Sequence, residues 1–491
     1  MRIAARLPNF CETLPMTKAT PVPFLILTLL AIGALFLKGP DVTLAPNGDV
    51  NSGDTAWMLT ASALVLLMTP GLSFFYGGMV RYKNVVSTML QSVIALGVIS
   101  VLWVIVGFSL AFGDSIGGII GDPRTFFMFH NVGDAAVKLG SKGDMALTIP
   151  LVLFAMFQLK FAIITPALIT GSFAERVRFS AYLVFMVLFS LLIYCPLAHM
   201  TWHPDGLFFG WGVKDFAGGT VVHMSAGFAA LAGAITLGRR TSHLKQEAHP
   251  PANIPYIFLG TGLLWFGWFG FNAGSATAAN GTAALAFTTT NTASAAAMLG
   301  WIFFDWMKGI KPSALGACIG AVVGLVAITP ACAYVSIPHS IIIGLVASVV
   351  SNIAVHFRTN SPLDDTLDVF PCHGVGGIVG IIMTGIFAME GKTPEGVLKG
   401  DGGLFYGQTA QFIAQMKALF IVAIFSFVAS LIIYKLVDLI IPLRVSPDQE
   451  DEGLDKSQHG EKAVTLGSLV TNGHSVHSQD SQKAAEMLSK H

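Results

Sequence analysis

The chain has 491 residues, of which 53% are hydrophobic and only 11% are charged. Since soluble domains usually carry about 25% charged residues, this composition excludes an ordinary soluble protein. Lys+Arg and Asp+Glu balance at 28 each, so the net charge gives no sign of a nucleic-acid partner. The five cysteines show no CxxC pairing, which argues against a zinc site or a disulfide framework.

Residues 1–45 are predicted to form a signal-peptide-like segment. Three basic residues precede an apolar run from Phe24 to Leu37. About 14 apolar residues are too few for a spanning helix and match the apolar region of a signal peptide. An extra uncleaved helix is the alternative, and a start at Met16 is also compatible with the sequence.

Residues 46–444 are predicted to form one transmembrane domain, followed by a cytoplasmic tail at 445–491. About eleven apolar stretches in this domain approach or exceed the roughly 20 residues that a helix needs to cross a bilayer. We therefore predict an all-α polytopic membrane protein. The predicted spans are 56–79, 86–112, 146–170, 179–199, 216–237, 254–273, 281–306, 313–333, 337–357, 369–388 and 412–441.

Basic residues predict the orientation of these spans, because short cytoplasmic loops carry an excess of Lys and Arg. Alternate loops are basic, and the opposite loops carry fewer basic residues over longer segments. We expect a multi-pass protein of the cell (inner) membrane, with its N-terminus outside and its C-terminus in the cytoplasm. The basic loops contain Arg81 and Lys83, Arg176 and Arg178, Arg239, Arg240 and Lys245, Lys308 and Lys311, and Arg358.

The two halves of the domain, about 56–237 and 254–388, have related sequences. The tetrapeptide Ile-Thr-Pro-Ala occurs at 164–167 and again at 328–331, five spans later. Asp215 leads His223 in span five, and Asp368 leads His373 in span ten. An odd number of spans reverses direction, so we predict an inverted five-helix repeat with its site between the halves.

The histidines of the repeat are the leading candidates for function, because ionisable residues are costly within a membrane. A single buried imidazole is more often a hydrogen-bonded core residue, but His223 and His373 occupy matching places. Burial disfavours the charged form of each ring, and two close rings resist charge further. A neutral pair offers a donor and an acceptor to a small polar molecule.

Aromatic and acidic residues are candidates for attracting a small cation towards these histidines. Aromatic rings attract cations by about 0.5–2 kcal/mol, although membrane anchoring and packing are the simpler alternatives. Asp215 is expected first to cap its helix and secondly to favour a cation at the outer mouth. Asp364, Asp365 and Asp368 could act in the same way before span ten. The aromatic candidates are Trp202, Phe157, Phe161 and Phe271, and Ser275 adds a hydroxyl acceptor.

Other chemistries find little support. His199 and His203 have a possible metal-ligand spacing beside Asp205, but no further ligand is obvious. No Walker A loop, Ser-His-Asp arrangement or metalloprotease pattern occurs. We expect no metal site, no cofactor and no enzymatic activity.

Five stretches resemble the bacterial Amt ammonium transporters of the Amt/Mep/Rh family, and the resemblance covers about Asp54 to Lys462. The resemblance implies that this chain forms a homotrimer, with eleven helices, an inverted five-helix repeat and one pore in each subunit. The function expected is transport of ammonium or ammonia. The matching stretches are PGLSFFYGG at 70–78, AERVRFS at 174–180, Asp215 to His223, GWFGFNAGS at 267–275, and Asp368 to Gly374.

The resemblance also implies roles for individual residues. Phe157, Phe161, Trp202 and Ser275 would recruit ammonium, with Asp215 needed nearby. Phe161 and Phe271 would form a stacked gate. His223 and His373 would be the paired histidines of the pore.

The tail resembles the family's tail at 451–455 and 459–461, which implies regulation by a PII-type signal protein. Two features depart from the family pattern: Lys160 beside Phe161, which helical geometry turns away from the pore, and a long sequence beyond Val464. The competing function is an ammonium sensor that signals through a cytoplasmic PII-type partner. A gas channel like the Rh branch is a third possibility, but the motifs resemble the Amt side.

Overall fold

The computed structural model describes residues 22–389 and 402–463. Within these ranges the chain is a bundle of long apolar helices, with short strands in the loops at one end. The helices are α1 (Val22–Gly33), α2 (Ser52–Met79), α3 (Tyr82–Phe112), α4 (Leu151–Ser172), α5 (179–202), α6 (Gly219–Leu237), α7 (Ile254–Gly274), α8 (Gly281–Met307), α9 (Ala314–Ile328), α10 (Ile337–Thr359), α11 (Phe370–Phe387), α12 (Ala410–Ile440), α13 (Pro447–Glu452) and α14 (Leu454–His459).

Helices α2–α12 correspond to the eleven predicted spans. Nine of them are long and apolar enough to cross a membrane. The other two are α8, whose 27 residues are rich in alanine and threonine, and α9, which has 15 residues. The prediction of an all-α polytopic membrane protein is confirmed for the described part of the chain.

Two predicted boundaries were wrong. The third span was predicted from residue 146, but Met145–Ala146 form a strand and the helix starts at Leu151. The eighth span was predicted to reach residue 333, but α9 ends at Ile328. A turn that includes Pro330 follows, because proline lacks the N–H that the next helical hydrogen bond would need.

Small residues bring the helices into backbone contact, as packing in a bilayer favours. A Cβ on Gly260 of α7 would lie 2.3 Å from the backbone nitrogen of Phe75 in α2. The same pair of helices is in close contact at Gly71, where a Cβ would lie 2.9 Å from Leu263 Cβ. Any larger residue at position 260 would therefore push α2 and α7 apart.

Helices α6 and α11 cross with reciprocal contacts, as expected for an inverted repeat. A Cβ on Gly227, four residues after His223, would lie 2.2 Å from the nitrogen of Gly374, the residue after His373. A Cβ on Gly377, four residues after His373, would lie 2.9 Å from Cγ of Met224, the residue after His223. In each half, the residue four positions after the histidine thus contacts the residue that follows the histidine of the other half. A pseudo-two-fold axis between the halves produces this reciprocity.

Loops and short strands cover one end of the bundle, which we call the loop face. Strands β2 (Ser115–Ile116) and β3 (Ile120–Gly121) form an antiparallel hairpin. Strand β4 (Val137–Leu139) pairs with β1 (Ala45–Pro46) and with β5 (Met145–Ala146), both antiparallel. Lys138 is opposite Ala45 on one side and Ala146 on the other, so this sheet ties the N-terminal segment to the loop before α4.

Buried charges tie the connecting loops together at the opposite end, which we call the tail face. Arg240 lies 2.8 Å from Glu175 and 2.9 Å from Asp364, and both carboxylates are buried. Arg81 binds the same Glu175 at 3.0 Å. Four loops, each from a different part of the chain, are therefore joined through one set of ion pairs.

The start of the tail docks on this face. The backbone N–H of Ser87, near the start of α3, donates to Asp455 Oδ1 at 2.8 Å. The N–H of Leu454 donates to Asn84 Oδ1 at 2.8 Å. The tail helix α14 and the second membrane helix thus cap each other. The predictions for residues 1–21 and beyond Val464 fall outside the described residues.

Candidate functional site

The two predicted histidines meet in the centre of the bundle. His223 and His373 each lie in the π-helical turns that begin a membrane helix, Gly219–Met224 and Phe370–Val375. Their Nδ1 atoms are 3.4 Å apart, and their side chains are 1% and 3% exposed. Two nitrogens at this distance can share one proton, with one ring donating and the other accepting.

Asp215 holds the start of α6. Its carboxylate accepts the backbone N–H groups of Gly218, Gly219 and Thr220 at 2.9, 2.6 and 2.7 Å, and it also binds the Thr220 hydroxyl. These groups would otherwise lack partners at a helix N-terminus. The expected capping role of Asp215 is what the geometry shows, and it places His223 eight residues further on.

Asp365 is the matching cap in the second half, so the expected pairing of Asp368 with Asp215 was wrong. Asp365 accepts from the N–H groups of Val369 and Phe370 at 3.1 and 2.8 Å, four and five residues on, as Asp215 does. It also precedes His373 by eight residues. Asp365 was one of the three aspartates expected to act before span ten, and the equal spacing distinguishes it from Asp364 and Asp368.

Asp368 has a different partner. Arg358, at the end of α10, binds its Oδ1 with both Nε and Nη2 at 2.7 Å. Asp368 adopts a left-handed backbone with φ of 57°, which is uncommon for a residue other than glycine. The ion pair anchors the loop before α11 to the end of α10.

Phe161 and Phe271 stack between the histidines and the loop face. Their ring centroids are 4.1 Å apart with an interplanar angle of 26°, and both side chains are buried. Phe271 is in turn 6.1 Å from His223 between ring centroids. The two rings therefore occupy the direct approach to the histidine pair.

The remaining predicted residues surround this stack on the side of the loop face. Phe157 lies 5.0 Å from Phe161, and Trp202 lies 5.7 Å from it, both edge to face. The Trp202 indole N–H donates to the backbone carbonyl of Asp215 at 3.0 Å. The Ser275 hydroxyl donates to the carbonyl of Phe271 at 2.9 Å, which leaves its oxygen lone pairs available.

Trp268 belongs to the same site and was not singled out from the sequence. Its ring stacks on His223, with centroids 5.3 Å apart and an angle of 20°. Its indole N–H donates to the Thr329 hydroxyl at 2.9 Å. The signal available was position, because Trp268 precedes Phe271 by three residues and Thr329 lies in the repeated Ile-Thr-Pro-Ala sequence.

A narrow cavity continues the path towards the tail face. It is lined by His373 and Cys372 of α11, by Tyr76 and Met79 of α2, and by apolar side chains. The space open to the centre of a water-sized molecule is about 10 Å³, close to the minimum for a single water. The path is thus tight and largely apolar on both sides of the histidines.

His199 and His203 do not form a metal site with the described residues. Their rings stack at 4.5 Å, and His199 is satisfied by the carbonyl of Ala111 at 3.1 Å and the hydroxyl of Ser115 at 2.8 Å. The described chain holds no group of three or more His, Cys, Asp or Glu side chains that could bind a metal.

Lys160 lies beside the aromatic stack without joining it. Phe161 is buried whereas Lys160 is half-buried, as their difference of about 100° around the helix predicts. Lys160 makes no hydrogen bond or ion pair with the part of the chain that the structure describes.

These features define a multi-pass helical membrane protein with two inverted halves and, at their junction, a buried histidine pair next to two stacked phenylalanine rings. The chain belongs to the Ammonium Transporter Family, whose model matches residues 56–464. It is 45% identical over 419 residues to an ammonium transporter of Bacillus subtilis, covering 84% of this chain and 98% of that protein.

Solved structures share the fold. Mep2 of Saccharomyces cerevisiae superposes with a TM-score of 0.75 at 33% identity, covering 82% of this chain and 89% of that one. A structure described as a sensor Amt protein superposes with a TM-score of 0.74 at 28% identity, covering 83% and 98%.

Proposed function

We propose that this protein moves ammonium across the membrane by binding the cation at the loop face, removing a proton, and passing ammonia along the histidine pair. The family membership supports the substrate. The observation that carries the mechanism is the contact between His223 and His373, which lie buried behind stacked phenylalanines.

The physical reason is the cost of moving an ion through an apolar path. Removing an unpaired ion from water costs several kcal/mol or more. The rings of Phe157, Phe161 and Trp202 offset part of this by cation–π attraction, and Ser275 offers hydroxyl lone pairs. Release of a proton at this point leaves a neutral molecule that the uncharged imidazoles can hydrogen-bond.

Asp215 contributes through its fixed position. Its carboxylate is occupied by the cap of α6, while its backbone carbonyl holds the Trp202 indole. Asp215 is in direct contact with Trp202 of the aromatic site, so its negative charge favours a cation there. Asp215 is thus a positioning residue with an electrostatic effect on recruitment.

The assembly and topology complete the proposal. The loop face lies outside the cell and the tail face lies in the cytoplasm, so the basic loops follow the positive-inside rule. The protein assembles as a homotrimer in the inner membrane with its domain at 46–444. The docked start of the tail offers a surface for a PII-type regulator.

The decisive experiment measures ammonium-dependent current and pH change in proteoliposomes that contain the purified protein. We expect His223→Ala and His373→Ala to abolish or alter ammonium-specific conduction while the assembly survives. The control is His356→Ala, which changes an exposed histidine of the tail face. Unchanged selective transport by the double variant would contradict the role of the pair.

The same preparation separates transport from sensing. A sensor that conducts little would show no uptake of labelled methylammonium into vesicles, whereas the proposed transporter accumulates it. Uptake that is lost in both histidine variants and kept in the control supports transport through the pair.

A further inference from the structure

A large cavity opens at the loop face, away from the histidine path. Its volume is about 800 Å³, within the range of small-molecule sites. The walls come from the segment before β1, from the β2 hairpin, and from the turn between β4 and β5. Phe112, Phe126 and Leu139, all buried, provide an apolar floor.

His203 lines this cavity, and one of its two ring nitrogens has no hydrogen-bond partner among the described residues. Its side chain is 2% exposed and lines the cavity. The backbone N–H of Asp205 donates to its Nδ1 at 3.1 Å, so a neutral His203 carries its proton on Nε2. That Nε2–H has no acceptor among the described residues, so it is available to a ligand or to water.

Asp205 is committed to the protein and fixes the wall beside His203. The backbone N–H and the hydroxyl of Ser141 donate to its two oxygens at 2.7 and 2.6 Å. This bond holds the turn between β4 and β5, which carries Lys142. The imidazole therefore lies beside the turn that carries Lys142.

The other charged groups of the cavity are free to bind a ligand. Lys138 and Lys142 line it and make no ion pair with the described residues. Asp114 lines it as well, and its carboxylate has no hydrogen-bond donor in the described chain. The cavity thus offers two cations and an N–H donor, one carboxylate, and an apolar floor.

We propose that this cavity binds an α-amino acid with an apolar side chain. The ligand carboxylate accepts from His203 Nε2–H and pairs with Lys138 or Lys142. The ligand ammonium pairs with Asp114, and the side chain lies on Phe112 and Phe126. The site is separate from the conduction path, so the inference does not depend on the proposed transport mechanism.

The test is equilibrium dialysis of radiolabelled L-leucine with the full chain in detergent at pH 7.5 and low salt. Two analogues isolate the charges: 4-methylpentanoate lacks the amine, and 3-methylbutylamine lacks the carboxylate. We expect saturable leucine binding that each analogue competes for at least about tenfold more weakly, because each lost charged hydrogen bond is worth about 1.5–3 kcal/mol.

Substitutions assign the site. We expect Asp114→Asn and Lys142→Met, both at exposed side chains, to weaken leucine binding at least about tenfold. The control is Asp134→Asn, an exposed carboxylate of the same loop that does not line the cavity, and it should bind normally. Absence of saturable leucine binding, equal competition by the analogues, or full binding by Asp114→Asn would each overturn the proposal.

Discussion

At the scale of single residues, ring contacts determine how the side chain of His223 is held. His223 lies between His373 on one side and Trp268 on another, and its Nε2 has no hydrogen-bond partner in the described chain. Its orientation therefore depends on stacking more than on hydrogen bonds. Trp268 itself is held by the hydroxyl of Thr329, so residues of the second half set the position of the His223 imidazole, which belongs to the first half.

Replacement of Trp268 tests this dependence. An aromatic pair contributes about 0.5–1.5 kcal/mol beyond its buried area, which corresponds to about a two- to tenfold change in rate. We expect Trp268→Leu to slow ammonium transport in proteoliposomes by this factor. Trp268→Phe, which keeps a ring but loses the bond to Thr329, should retain more of the rate. Equal rates for Leu and wild type would show that stacking does not position His223.

At the scale of elements, each histidine helix begins with the same device. An aspartate eight residues before the histidine accepts backbone N–H groups and fixes the π-helical start of the helix. Asp215 does this in the first half and Asp365 in the second. Only Asp215 also carries the carbonyl that holds Trp202, so the two caps differ in their relation to the aromatic site.

The pair of caps gives a matched experiment. Asp215→Asn and Asp365→Asn both replace a buried carboxylate, which accepts through two oxygens, by an amide with one acceptor oxygen. Both should lower the apparent unfolding temperature, since a hydrogen bond to a charged group contributes about 1.5–3 kcal/mol. We expect Asp215→Asn to reduce ammonium uptake more at low substrate concentration, because it alone removes negative charge near the aromatic site. Equal effects of the two variants on uptake would limit Asp215 to its capping role.

At the scale of the whole molecule, Glu175 joins three loops at the tail face. Burial alone would raise the pKa of Glu175, but the hydrogen bond from His249 and the charges of Arg240 and Arg81 hold that pKa well below its ordinary value. The ionised carboxylate thus contributes stability above the unfolded-state pKa of about 4.3. That contribution is lost as the pH falls below about 4.

Glu175→Gln tests this contribution. It leaves Arg240 and Arg81 buried with a neutral partner, and removing one member of a buried pair costs about 3–5 kcal/mol. We expect a lower apparent unfolding temperature at pH 7, measured by tryptophan fluorescence, and a smaller further loss than in the wild type on acidification from pH 7 to pH 3. Glu247→Gln is the control, since this half-exposed partner lies 3.5 Å from Arg81 and should cost at most about 1 kcal/mol. Equal loss in both variants would contradict the role of Glu175.

The amino-acid sequence by itself determined the membrane class, the helices α2–α12 and the repeat. Bilayer thickness imposes long apolar runs, and such runs can be recognised in the sequence without knowledge of which residues they contact in the fold. It also pointed to His223 and His373, because a polar residue within such a run has few structural explanations. The helix start at Leu151 and the helix end at Ile328 were not predicted. Apolar residues before Leu151 pair as a strand, and apolar residues after Ile328 form a turn.

Tertiary structure decided which groups meet. The stacking of Trp268 on His223 and the cavity around His203 both join residues that are distant in the chain. Such contacts depend on the crossing of α6 and α11 and on loop pairing, which leave no local pattern. Their physical basis is the need of each buried polar group for a partner, and the partner is chosen by the fold.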